Sequence, residues 1–247
     1  MRLIYFIYFY CVAHLGCFAA DGNKILLYTE QFPPYNYTVD GTHRGINLEL
    51  IELMCQRVKL QCRYEFLPWG RALQAAQLNV NAGIFSTSRY AERESLFHWV
   101  GPLVASESYF YRLKSRQDIT IADSKDLLKY TVAAPRNDVY VDLLMAIGFT
   151  KGKNLLLMSK KYGDVEHFFS EKVDLFIASP LTLSYHTGNK PHLVESIWPL
   201  EITRLHGNYL AFNKGIDATI VKQFSAALQA LNAEGVPDKL IKKYSNK

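Results

Sequence analysis

Short apolar runs rich in β-branched and aromatic residues alternate with amphipathic helical segments along this chain, and the alternation occurs twice. Ile25 to Thr29 reads as a buried strand, ended by the Pro33-Pro34 pair. Gly45 opens a helix in which Ile46, Leu50, Met54 and Val58 recur at spacing four, with Leu53 alongside. A strand from Cys62 to Leu67 stops at Pro68, Trp69, Ala72, Leu73 and Ala76 mark a second helix, and Val80 to Phe85 is a third strand. Glu107 to Leu113 reads as an extended crossing, after which the pattern begins again. Strand 130–134 leads to a helix capped by Asn137 or Asp138, lined by Val139, Leu143, Leu144 and Ile147 and closed by Gly148. Strand 155–158, helix 165–169 and strand 173–178 complete the second unit. The tail from Asp217 to Asn232 is a helix with Ile220, Val221, Phe224, Ala227, Leu228 and Leu231 on one face and Gly235 as its stop. Strands alternating with helices predict an α/β protein of two lobes, each a mostly parallel sheet flanked by helices. Extended crossings between two such lobes leave a ligand cleft between them.

Composition narrows the class. Apolar residues make up 49% and charged residues 21%, near the soluble globular norm of roughly 45–50% and 25%. Disorder, collagen and coiled coil are excluded. The net charge is +5, but the basic residues are scattered rather than gathered into runs, so no nucleic-acid partner is expected. Residues 1–20 have the order of a secretory signal: Arg2, an apolar aromatic run from Leu3 to Phe18, then Ala19 and Ala20 before Asp21. That run, broken by His14 and Gly16, is shorter than the roughly 20 apolar residues of a membrane span. Export to the periplasm through a cleaved signal is expected. Cys11 and Cys17 leave with it, and Cys55 and Cys62 remain in an oxidising compartment. A disulfide is their natural pairing, pinning a helix-to-strand turn; two buried free thiols are the alternative. Two cysteines with no nearby His offer half a zinc site, so no metal is expected.

No nucleophile elbow, zincin helix, phosphate loop or dinucleotide fingerprint is present. Recognition groups stand instead at strand ends, where open α/β sheets bind ligands. Glu30, Phe32 and Tyr35 follow the first strand on a proline-stiffened loop. Ser86 and Ser88 follow the third, with Arg89 and Arg93 close behind. A guanidinium can grip a carboxylate through two parallel hydrogen bonds, whereas surface ion pairs with Glu92 or Glu94 are the ordinary alternative for both arginines.

These features together resemble the family 3 extracellular solute-binding proteins of bacterial ABC importers. The resemblance runs over most of the chain after residue 20. It rests on Phe32 to Tyr35, Gly45 to Leu50, Trp69, Glu92-Arg93 followed by Trp99 and Gly101-Pro102-Leu103, Val173-Asp174, and Ala227-Leu228 with Leu231 and Gly235. It implies a type II periplasmic-binding-protein fold, with residues 21–107 and 205–247 in lobe 1 and 108–204 in lobe 2. It implies a monomer without cofactor that captures an amino acid or related small carboxylate by closure and hands it to a membrane permease. Arg93 takes the place of the arginine that grips the ligand's carboxylate, and Ser86 and Ser88 that of small polar residues lining the ligand. Phe32 and Trp69 resemble aromatic walls, and Asn137-Asp138 the turn facing the ligand from the second lobe.

Two positions depart from the family pattern. Ser179 stands where amino-acid binders commonly carry an acid for the ligand's ammonium, and Asn81 where an Asp is frequent. An ammonium buried without a carboxylate is poorly paired, and Glu30 is the alternative source of charge. Two other functions fit the scaffold: an enzyme of dehydratase type, with Glu30 as proton donor at a pKa raised by burial, and a sensor docking on a membrane receptor.

Overall fold

A computed structural model describes residues 24–105, 107–159, 162–188, 191–199 and 207–245. The expected signal segment, with Cys11 and Cys17, lies outside them.

The chain enters as β1 (Lys24–Thr29), a hairpin of β2 (Tyr37–Val39) and β3 (Thr42–Arg44), then α1 (Ile46–Val58) and β4 (Gln61–Phe66). Next come α2 (Trp69–Leu78), β5 (Ala82–Thr87), the short α3 (Ala91–Glu94) and β6 (Phe97–Val104). The stripe expected on α1 is the buried one: Ile46, Leu50 and Met54 are fully enclosed. Gly45 adopts φ 135°, and a Cβ there would stand 2.3 Å from the Tyr35 carbonyl oxygen. Only glycine lets the loop carrying Tyr35 lie this close to the start of α1. Cys55 and Cys62 are bonded, with Cα atoms 6.2 Å apart. The bridge ties the last turn of α1 to the start of β4, as the cysteine count predicted.

The second half comprises β7 (Tyr109–Leu113), β8 (Val132–Pro135), α4 (Val139–Ile147), β9 (Leu155–Met158), α5 (Gly163–Phe169), β10 (Phe176–Ala178), α6 (Pro180–Thr187) and β11 (Val194–Pro199). A 3-10 turn at 124–129 precedes β8 and shortens the strand predicted from Tyr130. β10 begins at Phe176 rather than Val173, with Leu175 held to Val132 by a lone bridge. The chain then returns as β12 (Asn208–Asn213), α7 (Ala218–Ala233) and α8 (Val236–Ser245).

β4-β1-β5-β12-β6 form one five-stranded sheet, and β10-β7-β11 a second of three, with β8 paired to β9. Strands joined through helices pair in parallel, as expected: β1 with β4 and β5, β8 with β9. The other pairings are antiparallel: β12 against β5 and β6, β7 against β10 and β11. The five-stranded sheet is therefore mixed, and in the second half the expected mostly parallel sheet is replaced by an antiparallel sheet of three strands beside the parallel pair β8-β9. Separate hydrophobic cores follow. Leu27, Leu48, Phe85, Phe212 and Phe224 belong to one, and Phe110, Val132, Leu144, Leu155 and Ile177 to another.

Several elements were absent from the sequence expectation. β6 contains Gly101-Pro102, which reads as a break, yet it lies at the sheet edge where proline is tolerated. α8 follows Gly235, read as a stop; Pro237 in its first turn is no obstacle to a new helix. Leu240 and Tyr244 bury its inner face, and the Tyr244 hydroxyl accepts from the Gly45 amide at 2.8 Å and donates to Glu49.

The two lobes touch across their facing edges. Tyr35 Oη and Ser179 Oγ share a hydrogen bond of 3.0 Å, and Tyr162 Oη donates to the Gln31 carbonyl at 2.8 Å. Tyr185 on α6 meets Tyr37 edge-on at 5.5 Å, and Leu181 packs against the core of the five-stranded sheet.

Candidate ligand site in the interlobe cleft

The carboxyl ends of β1 and β5 open onto the cleft, as the sequence predicted. Beyond β1, Phe32 and Tyr35 stack with ring centres 4.9 Å apart. Asn36 sits beneath them, donating to Thr29 Oγ1 at 2.8 Å and to the Glu30 carbonyl at 2.7 Å. Beyond β5, Ser86 adopts φ 59°. Its hydroxyl donates to Asn36 Oδ1 and accepts from Asn47 Nδ2, the latter at 2.8 Å. The two loops are thus locked to each other by buried polar contacts, which fixes the geometry of the wall.

Glu30, Phe32, Tyr35, Trp69, Ser86, Ser88, Arg93, Asp138 and Ser179 all line one inner chamber of about 80 Å³. Positions from Glu30 to Ser179 therefore converge on one point. Asn137, the remaining candidate, lines only an adjoining outer chamber, together with Glu30, Trp69 and Asp138, which face both.

The two arginines differ sharply. Arg89 forms an exposed forked pair with Glu94, at 2.8 Å and 2.6 Å, the ordinary surface alternative. Arg93 is 7% exposed, and no carboxylate among the described residues lies within ion-pair distance. Its Nη1 donates to Thr87 Oγ1 at 3.2 Å, and its guanidinium lies over Tyr90 at 4.7 Å and Trp69 at 5.2 Å from the ring centres. Burial pulls its pKa below the usual arginine value, with Tyr90, Asp138 and Asp142 partly opposing that pull. The side chain is a caged cation with donors left to give.

From the second half, Asp138 caps α4 by accepting from the Tyr140 amide at 2.9 Å. Ser179 caps α6, accepting from the Thr182 amide at 3.2 Å. Its hydroxyl serves a helix and Tyr35 at once, so it takes the place expected of an acid without supplying charge. Burial raises the pKa of Tyr162, with Glu30 adding to the effect, and keeps it a neutral donor to Gln31.

Five chamber residues were not among the sequence candidates: Ser108, Val139, Tyr140, Gly207 and Asn208. Tyr140 Oη and Ser108 Oγ are 2.7 Å apart. Asn208 opens β12, is 8% exposed, and its Nδ2 has no hydrogen-bond partner among the described residues. A buried donor without a partner is costly; a ligand oxygen in the chamber is the acceptor that would satisfy it. The polar Asn208 after Gly207, ahead of an apolar run, was the available signal. At Gly207, φ is 128° and a Cβ would stand 2.1 Å from the Val104 carbonyl oxygen, so the neighbouring strand sets Asn208 in place.

A family model described as bacterial extracellular solute-binding proteins, family 3, matches residues 25–247. No curated protein matches the chain significantly. Among solved structures, a histidine kinase sensor domain with similarity to periplasmic binding proteins superposes with a TM-score of 0.77 at 18% identity, covering 90% of this chain and 95% of that one. The amino acid ABC transporter substrate-binding protein AbpA from Streptococcus pneumoniae, bound to L-arginine, gives 0.75 at 19% identity, covering 92% and 96%. An arginine 3rd transport system periplasmic binding protein from Legionella pneumophila gives 0.74 at 15% identity, covering 90% and 99%. At these identities the likeness is one of fold, and the fold is the two-lobed one of periplasmic binding proteins.

Proposed function

Because the chain belongs to the bacterial extracellular solute-binding proteins, family 3, we propose that it captures a small solute bearing a carboxylate by closing its lobes around it, and delivers the solute to the permease of an ABC importer. The observation that carries this reading is Arg93: a buried guanidinium at the cleft, caged by two rings and with no carboxylate among the described residues within ion-pair distance. Asn208 Nδ2 supplies a second donor at the same chamber. Pairing a ligand anion with Arg93 away from water strengthens a contact that would be weak in the open form. Closure follows if the solute contacts both lobes at once, since a ligand that binds both states equally shifts nothing. Ser86, Ser88 and Glu30 meet the solute from one lobe, Asp138 and Ser179 from the other.

The division into residues 21–107 with 205–247, and 108–204, is supported by β6 and β12 sharing the five-stranded sheet with β1. Export to the periplasm fits the Cys55–Cys62 bridge, and among the described residues no helix is long and apolar enough to cross a membrane. A thermal-shift screen against amino acids, small carboxylates, polyamines and sugars tests the solute class. A ligand at 100 times its Kd adds about 2.7 kcal/mol, a shift of several degrees at this size. Stabilisation by polyamines or sugars alone would refute the carboxylate reading.

One observation favours a second reading. The sensor domain of a histidine kinase has this fold, so the captured solute would be reported to a receptor rather than carried across. Solute uptake in cells lacking this protein separates the two: unchanged uptake with a lost transcriptional response to the solute would favour the sensor.

A further inference from the structure

The inner chamber is small for a whole ligand. Sites for small molecules run to roughly 300–1,000 Å³, against about 80 Å³ here. The outer chamber, at about 580 Å³, is of ligand size, and it adjoins the inner one along Glu30, Trp69 and Asp138, which line both. Its remaining walls are mainly apolar, with Phe66, Leu67 and Pro68 on one side and Met158 on the other. Gly70, the second residue of α2, also lines it, and a Cβ built there meets nothing within 4 Å. Its φ is not in the left-handed region and no backbone approaches it, so neither conformation nor crowding calls for glycine inside this helix, where glycine is a poor former. What its missing side chain does is leave the outer chamber wide.

We infer that the solute is an elongated carboxylate, its acidic head beside Arg93 in the inner chamber and a mainly apolar arm lying in the outer chamber past Gly70. The inference rests on the carboxylate reading of Arg93 and adds to it the size and polarity of the solute. Each methylene removed from water along the arm contributes about fourfold in affinity, so four buried carbons contribute on the order of 100-fold.

Calorimetry with two homologous series tests this. One is L-alanine, L-norleucine and L-2-aminooctanoate; the other is propionate, hexanoate and octanoate, which carries the same arms without the ammonium. The expected result is an affinity that rises with arm length, on the order of 1,000-fold over the five methylenes from shortest to longest, in at least one series. Gly70→Leu is expected to cut the longest-to-shortest affinity ratio at least about tenfold by filling the space of the arm, with Gly70→Ala intermediate. Melting curves of both variants verify folding, and leucine or alanine in a helix favours it. An affinity that is flat or falls with arm length, or a ratio untouched in folded Gly70→Leu, would overturn the inference. If binding is flat with length but lost in Arg93→Ala, the elongated solute fails and the carboxylate reading stands. If no member of either series shows Arg93-dependent binding, both fail.

Discussion

Arg93→Ala separates a binding cation from a structural one. The guanidinium is 7% exposed, and its polar contacts are to neutral groups, the Thr87 hydroxyl and Tyr90. A carboxylate seated against it would be largely desolvated, and truncating one partner of such a pair costs about 2–5 kcal/mol of binding. That corresponds to a loss of about 30-fold to a few thousand-fold in Kd. The effect on folding is opposed and small. The variant loses ring contacts with Trp69 and Tyr90 and the bond to Thr87, about 0.5–1 kcal/mol each, but is relieved of burying a cation whose pKa is already drawn down by desolvation. Its melting temperature in the absence of ligand is therefore expected to move by no more than a few degrees. Arg93→Lys is expected to recover part of the affinity, since an ammonium cannot reproduce two parallel hydrogen bonds. Arg89→Ala breaks an exposed pair with Glu94, worth about 0–1 kcal/mol of stability, and is expected to leave affinity within about twofold of wild type. Calorimetry on the best carboxylate from the thermal-shift screen, with wild type and all three variants, reads the result. Equal affinities for wild type and Arg93→Ala would show that the buried guanidinium is held by its aromatic cage for packing alone.

Three other outcomes follow from the structure. Replacing Cys55 and Cys62 by Ser opens a small loop and is expected to cost about 2–2.5 kcal/mol in urea unfolding; mass analysis of the non-reduced protein showing two free thiols would contradict the bridge. Tyr35→Phe removes the hydrogen bond to Ser179 that spans the cleft, worth about 0.5–1.5 kcal/mol. It is expected to enlarge the ligand-free radius of gyration in small-angle scattering; an unchanged radius would mean the contact does not bias closure. The Asp126 carboxyl, held by Lys129 and then by the Ala122 and Asp123 amides, has its pKa lowered from 3.8 to about 2. A depressed carboxylate stabilises the fold above its unfolded pKa and loses that contribution as pH falls. Asp126→Asn is therefore expected to melt below wild type at pH 7, the gap closing between pH 3.8 and about 2; a gap independent of pH in scanning calorimetry would refute the assignment.

The sequence by itself determined the elements that carry their own periodicity and punctuation. The α1 stripe, the Asp138 cap and Gly148 stop of α4, and the α7 face were legible because helix burial recurs every three to four residues and caps are local chemistry. The bridge between Cys55 and Cys62 was legible because the two cysteines left after the signal segment are close in sequence, at positions seven apart. The residue types alone left Arg89 and Arg93 equivalent, since Glu94 could serve either, and only the family resemblance singled out Arg93. The tertiary structure supplied the physical difference between them. The fold sends Arg89 to the surface pair and closes Trp69 and Tyr90 around Arg93. It likewise brought Asn208 and Ser108 into the chamber beside Ser86 and Ser179. A site assembled from strand ends and returning crossings depends on which strands become neighbours. That order is set by burial summed over the whole core, and the pattern of any one segment does not record it.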